Sequence, residues 1–68
     1  MGEILITVNG EERSFPEGAV ITDLLARLGL SPKGIAVAVN GVVSPRGEWE
    51  QPLRPGAIIE ILTAVPGG

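Results

Sequence analysis

Cysteine, histidine and tyrosine are absent from these 68 residues, and the chain has one tryptophan and one phenylalanine. Without cysteine there is no disulfide and no thiolate chemistry. Without histidine there is no imidazole base, and the usual zinc ligand sets cannot be assembled. Serines and threonines therefore lack the partner that commonly activates them as nucleophiles. Basic residues are few: Arg13, Arg27, Lys33, Arg46 and Arg54 lie scattered along a chain of net charge -3. That distribution forms no sequence-local patch for phosphates, so no nucleic-acid partner is expected and a basic protein partner suits the chain better. No apolar run approaches membrane-spanning length, and the start Met1-Gly2-Glu3 lacks the basic end and apolar stretch of a secretory signal. A soluble protein of the cytoplasm, with no membrane partner, is the resulting expectation.

What is present describes a compact, turn-rich globule: hydrophobic residues make up 44%, with 10 glycines and 6 prolines. A chain of this size accommodates one domain, 1–68, of marginal stability. Glu3 to Val8 alternates with a period of two, placing Ile4, Ile6 and Val8 on one side and Leu5 and Thr7 on the other. Asn9-Gly10 supplies a type I′ turn, and Glu11 to Phe15 returns as the second strand of a hairpin ending at Pro16. At that point the period changes. Ile21, Leu24, Leu25 and Leu28 make one apolar stripe of a short helix, with Asp23 in its first turn, Thr22 or Val20 at its start and Gly29-Leu30 forming a Schellman end.

Ile35 to Val39 reads as a third strand, with Val37 and Val39 inward and Ala36 and Ala38 outward. Asn40-Gly41 repeats the turn and Val42-Val43 makes a very short fourth strand. Both Asn-Gly pairs are read as turns and nothing more. After Pro45 a brief helical or 3₁₀ turn carries Trp49, whose flat area plugs one end of the core. The last strand begins at Ile58, with Ile59 and Ile61 inside and Ile58, Glu60 and Leu62 outside. These elements predict an α+β fold: a mixed sheet of four to five strands with one main helix packed on one face, the first and last strands side by side in parallel. The other face exposes Leu5, Thr7, Ala36, Glu60 and Leu62, a candidate partner surface.

The final stretch passes from a β-branched run into Val65-Pro66-Gly67-Gly68, a sequence no sheet can use. A glycine pair lacks side chains, so it can thread a narrow channel and offer the Gly68 carboxylate to another protein's active site. Residues 64–68 are expected to be a flexible tail, which spans roughly 15 to 18 Å if extended.

Several motifs together carry a resemblance over essentially the whole chain. They are Ile6-Thr7-Val8-Asn9-Gly10-Glu11, Asp23-Leu24-Leu25, Val37-Ala38-Val39-Asn40-Gly41, Pro45-Arg46 with Trp49, Leu53, Gly56, Ile59-Glu60-Ile61 and Thr63-Ala64-Val65 before Gly67-Gly68. The chain resembles the ThiS family, the ubiquitin-like β-grasp sulfur carriers of thiamin biosynthesis. The resemblance implies that a ThiF-like adenylating enzyme uses ATP to convert the Gly68 carboxylate to an acyl adenylate. Sulfur from a cysteine desulfurase or rhodanese-like donor then yields a thiocarboxylate, and a thiazole synthase accepts that sulfur. On this reading the chain is a protein co-substrate rather than an enzyme and binds no cofactor itself. Gly67 gives access for the tail, and Leu5, Glu60, Leu62, Val65 and Pro66 form the partner surface. Pro66 departs from the family, where glycine or alanine is more frequent, and is expected to preorganise the tail. Related readings are the small subunit of molybdopterin synthase and a carrier for tRNA thiolation. A non-carrier interaction module is the alternative from a different class, and it would tolerate deletion of Gly68 where a carrier would not.

Overall fold

The computed structural model describes residues 2–63. Its elements are β1 (Glu3–Val8), β2 (Glu11–Pro16), α1 (Ile21–Arg27), β3 (Ile35–Val39), β4 (Val42–Val43), a 3₁₀ turn (Arg46–Glu48) and β5 (Ile58–Thr63). The strands form one five-stranded sheet in the order β2-β1-β5-β3-β4. β5 occupies the centre, parallel to β1 and antiparallel to β3, while the two hairpins β1–β2 and β3–β4 are antiparallel. The sheet is thus mixed, with one main helix on one face, as the β-grasp expectation requires.

Both Asn-Gly pairs adopt positive φ at both positions, Asn9 at 50° and Gly10 at 86°, Asn40 at 51° and Gly41 at 84°. These values belong to a type I′ turn, whose twist matches that of the flanking strands. Pro16 closes β2 opposite Glu3, one residue beyond the expected end at Phe15. β2 lies at the edge of the sheet, where a proline is tolerated.

Val20, not Thr22, is the N-cap of α1. The Val20 carbonyl accepts the first helical bond from Leu24 N–H at 3.1 Å, and the Asp23 carboxylate accepts the otherwise free Val20 N–H at 3.0 Å. The valine side chain offers no acceptor, so only the reciprocal half of a capping box is made. At the other end Gly29 sits at φ 72°, and Leu30 N–H and Gly29 N–H donate to the Leu25 and Ala26 carbonyls. This pair of bonds is the Schellman pattern, which a left-handed residue at that position permits.

Ile21, Leu24 and Leu25 meet Ile4, Ile6, Val8, Val37, Ile59 and Ile61 from the sheet, and all are buried. Trp49 is 4% exposed and closes the same core; its indole N–H donates to the Ser44 carbonyl at 3.0 Å, and the Arg46 guanidinium lies 5.1 Å from the ring centre. Burial of the ring is therefore matched by a partner for its only polar atom. Ala19, Leu53 and Ala57 complete the cluster. Their loops are fixed by backbone bonds, Leu53 N–H to the Ala19 carbonyl at 2.8 Å and Ile21 N–H to the Trp49 carbonyl at 3.1 Å.

Two details of β3 differ from the alternation. Ala38 is buried although it faces away from the helix, because it stands between Glu60 of β5 and Val43 of β4, whose larger side chains cover it. Val39 is only half-buried, since it lies at the margin of the core rather than within it.

Candidate functional site

Register alone assigns the face that α1 leaves open. Leu5 pairs with Ser14, Thr7 with Glu12 and with Ile58, Glu60 with Ala38, and Leu62 with Ala36. Directly paired residues project to the same side of a sheet, so these side chains share one surface with Glu3 and Val43. Leu5 is 55% exposed, Ile58 54%, Leu62 62% and Val43 65%. Each of these aliphatic groups keeps more than half of its surface in water, so folding gains from them only a fraction of what a core residue contributes.

Leu5 and Leu62 share this face but lie toward opposite ends of it. Leu5 is two residues before Thr7, and Leu62 is four residues beyond Ile58, the residue level with Thr7. They are therefore separated by about 20 Å of strand. Ile58 stands between them and was not singled out as a contact in the sequence, although its alternation with Ile59 already placed it outside. Glu60 lies in the β5 row between Ile58 and Leu62, with Ala38 beside it. The alanines of β3 keep the neighbouring surface low, so the β5 side chains stand above it.

The open face carries the carboxylates of Glu3, Glu12 and Glu60, and its described strands contribute no basic residue to it. Arg13 projects to the other face, paired with Ile6, and meets the Glu11 carboxylate at 3.2 Å. Near the end of β5, Leu62 and Thr63 line a shallow depression with Gly34, Ile35, Ala36 and Arg46. The guanidinium of Arg46 donates to the Pro32 carbonyl at 2.6 Å and stacks on Trp49, which fixes the cation at that edge.

β5 ends at Thr63, opposite Ile35. Val65, Pro66, Gly67 and Gly68 lie outside the described residues. No grouping of acidic side chains suited to a metal ion occurs among the described residues, and none of their helices is long and apolar enough to cross a membrane.

Residues 5–68 match the model of the ThiS family. The chain belongs to the ThiS family. It is similar to the sulfur carrier protein ThiS of Thermus thermophilus, with 32% identity over 94% of this chain and the whole length of that protein. Among solved structures it is similar to the thiamine biosynthesis protein ThiS from Geobacter metallireducens, with 28% identity, 96% of this chain covered, all of that chain covered, and a TM-score of 0.73. A designed protein built on a ubiquitin template shares the fold, with 25% identity over 100% of this chain and 98% of that one, and a TM-score of 0.58. A thiazole synthase of Paramagnetospirillum magneticum is 31% identical over 93% of this chain, which spans only 20% of that protein. ThiS proteins are sulfur carriers of thiamin biosynthesis, handled by enzymes as substrates rather than acting as catalysts, and this chain has that role.

Missed in the sequence were the side chains of Asn9 and Asn40. The Asn9 Oδ1 accepts Ile61 N–H at 2.8 Å and the Asn40 Oδ1 accepts Ile58 N–H at 2.9 Å, so both turns are fastened to β5. The repeated Val-Asn-Gly was the available signal. Glycine at the first turn position would also satisfy a type I′ turn, and asparagine adds an acceptor that glycine lacks.

Proposed function

We propose that the sulfur is carried as a thiocarboxylate on Gly68. The observation supporting this is that Gly67-Gly68 falls within the family match, four and five residues beyond Thr63 of the central strand β5. A free carboxylate is a poor electrophile, so activation is needed first. A carboxylate oxygen of Gly68 attacks the α-phosphorus of ATP held by a ThiF-like adenylating enzyme; pyrophosphate leaves and an acyl adenylate forms. The terminal sulfur of a persulfide on a cysteine desulfurase or rhodanese-like donor attacks the carbonyl carbon and displaces AMP. A thiol then attacks the donor's sulfur of the acyl disulfide, so that the thiocarboxylate leaves and the thiol and donor are joined as a disulfide. The resulting thiocarboxylate is the form from which a thiazole synthase takes sulfur. Gly67 and Gly68 place no side chain about the reacting carbon.

Docking uses the open sheet face. Leu62 lies nearest the end of β5, with Glu60 next along the row and Ile58 and Leu5 farther away; Val65 and Pro66 continue the contact toward Gly68. An apolar patch with basic neighbours is the complementary partner surface. That a thiazole synthase contains a stretch similar to this chain supports a direct association between carrier and synthase. The reaction belongs in the cytoplasm, where ATP and reduced sulfur are available.

The test is the intact mass of the chain after incubation with ATP, a sulfur source and a ThiF-like enzyme that is active on its own carrier. Addition of an adenylyl group, or replacement of one oxygen by sulfur localised to Gly68, is the expected result. An unchanged mass overturns the proposal, and so does a Gly68 deletion that still transfers sulfur.

A further inference from the structure

Each asparagine of the two turns holds a backbone conformation in which its own carbonyl no longer follows the line of the strand. Its side chain takes over the ladder. Asn9 N–H donates to the Ile59 carbonyl at 2.9 Å while the Asn9 Oδ1 accepts from Ile61 N–H at 2.8 Å. Asn40 N–H donates to the Ile58 carbonyl at 2.7 Å while its Oδ1 accepts from Ile58 N–H at 2.9 Å. β5 is thus gripped from both sides by the same device.

The two grips differ in position. Asn40 acts where β5 begins, and there the β1 side is also fastened, by Thr7 N–H to the Ala57 carbonyl at 2.9 Å. Asn9 acts where β1 has ended: the β1–β5 register consists of Thr7 with Ile58 and Val8 with Ile59. Among the described residues, the Asn9 carboxamide makes the last hydrogen bond that β5 receives from this side, while β3 continues on the other side to Ile35 opposite Thr63. Ile61 to Thr63 are held by the β3 ladder on one edge, and on the other edge the Asn9 bond is what ties Ile61 in. Its loss leaves the end of β5 held on one side and more open to twist and fray.

We propose that Asn9 is a positioning residue for the sulfur-transfer reaction: its carboxamide latches the end of β5 and so sets the direction from which the chain runs on toward Gly68. The latch acts through the strand and touches no reacting atom. Its functional part rests on the carrier reading above.

Asn40→Gly is the internal control, since it deletes the same carboxamide from the same turn at the other end of β5. Glycine keeps the positive φ without strain, whereas Asn9→Asp retains an acceptor oxygen. In Asn9→Gly, hydrogen exchange of the Ile61 amide should accelerate about five- to tenfold, the effect of losing one hydrogen bond. Its kcat for adenylation should fall several-fold with little change in KM. Asn40→Gly should accelerate exchange at Ile58 and leave adenylation within about twofold, and Asn9→Asp should restore both properties at Asn9. If the glycine variant does not fold, Asn9→Ser read against Asn40→Ser gives the same contrast, because the two positions impose the same positive φ, 50° and 51°, and the strain cancels between them. Unchanged exchange at Ile61, or equal losses of adenylation in Asn9→Gly and Asn40→Gly, overturns the latch. A wild-type chain that accepts no AMP from an active enzyme overturns the carrier chemistry and the functional half of the latch with it, while Ile61 exchange still decides whether the bond holds the strand.

Discussion

Ile58 and Ile59 are the same side chain one residue apart, yet the first is 54% exposed and the second fully buried. The two faces of the sheet differ in the same way. On the covered face Ile4, Ile6, Val8, Val37, Ile59 and Ile61 are buried in one cluster with α1, Trp49 and Leu53, whereas Val42, paired with Val39 on the short edge strand β4, stays 69% exposed. On the open face Leu5, Ile58, Leu62 and Val43 remain in water beside carboxylates. Burial explains why the first set is apolar. It gives no reason for the second, and that difference is why docking of another protein is proposed for the open face.

The sharpest way to break this comparison is to truncate the two isoleucines separately. Ile59→Ala should lower stability by about 3 kcal/mol, because it removes buried atoms and leaves a cavity, whereas Ile58→Ala should cost under about 1 kcal/mol. Urea unfolding of both variants measures the contrast, and equal losses would mean that the open face is covered after all. Trp49→Phe should cost an intermediate amount, about 1 to 2 kcal/mol, since it vacates part of the core and leaves the Ser44 carbonyl without its indole donor. Thermal unfolding followed by circular dichroism reads that loss.

Leu62→Glu reverses the pattern. The change should alter stability by less than about 0.5 kcal/mol, yet weaken binding to the adenylating enzyme roughly tenfold or more, as a charge in the apolar part of an interface does. Titration calorimetry would detect it, and unchanged affinity would reject this surface. The same substitution at Leu5, about 20 Å away along the strands, should weaken the complex less; equal effects would show that one partner covers the whole face. Smallest of all is Pro66→Gly, which should slow adenylation by no more than about threefold, by releasing the conformational restraint on Val65. A large gain in rate would show that Pro66 hinders the reaction.

Much of this was written locally. Alternation in Glu3 to Val8 and Ile58 to Leu62, the stripe from Ile21 to Leu28, the Gly29 stop and two Asn-Gly turns each act through the backbone of a few adjacent residues, so element type and facing could be read without knowing the fold. The terminal glycine pair and the motif spacing pointed to the family in the same way. Tertiary structure alone decided the rest. Ala38 became buried because Val43 and Glu60, distant in sequence, flank it across two ladders. Leu5 and Leu62 were set apart by the register of β1 on β5, which no local period encodes. Asn9 gained its role only when a strand 52 residues away came to lie beside its turn. Period and turn chemistry are properties of neighbours along the chain, whereas register and hydrogen-bond partners are properties of neighbours in space.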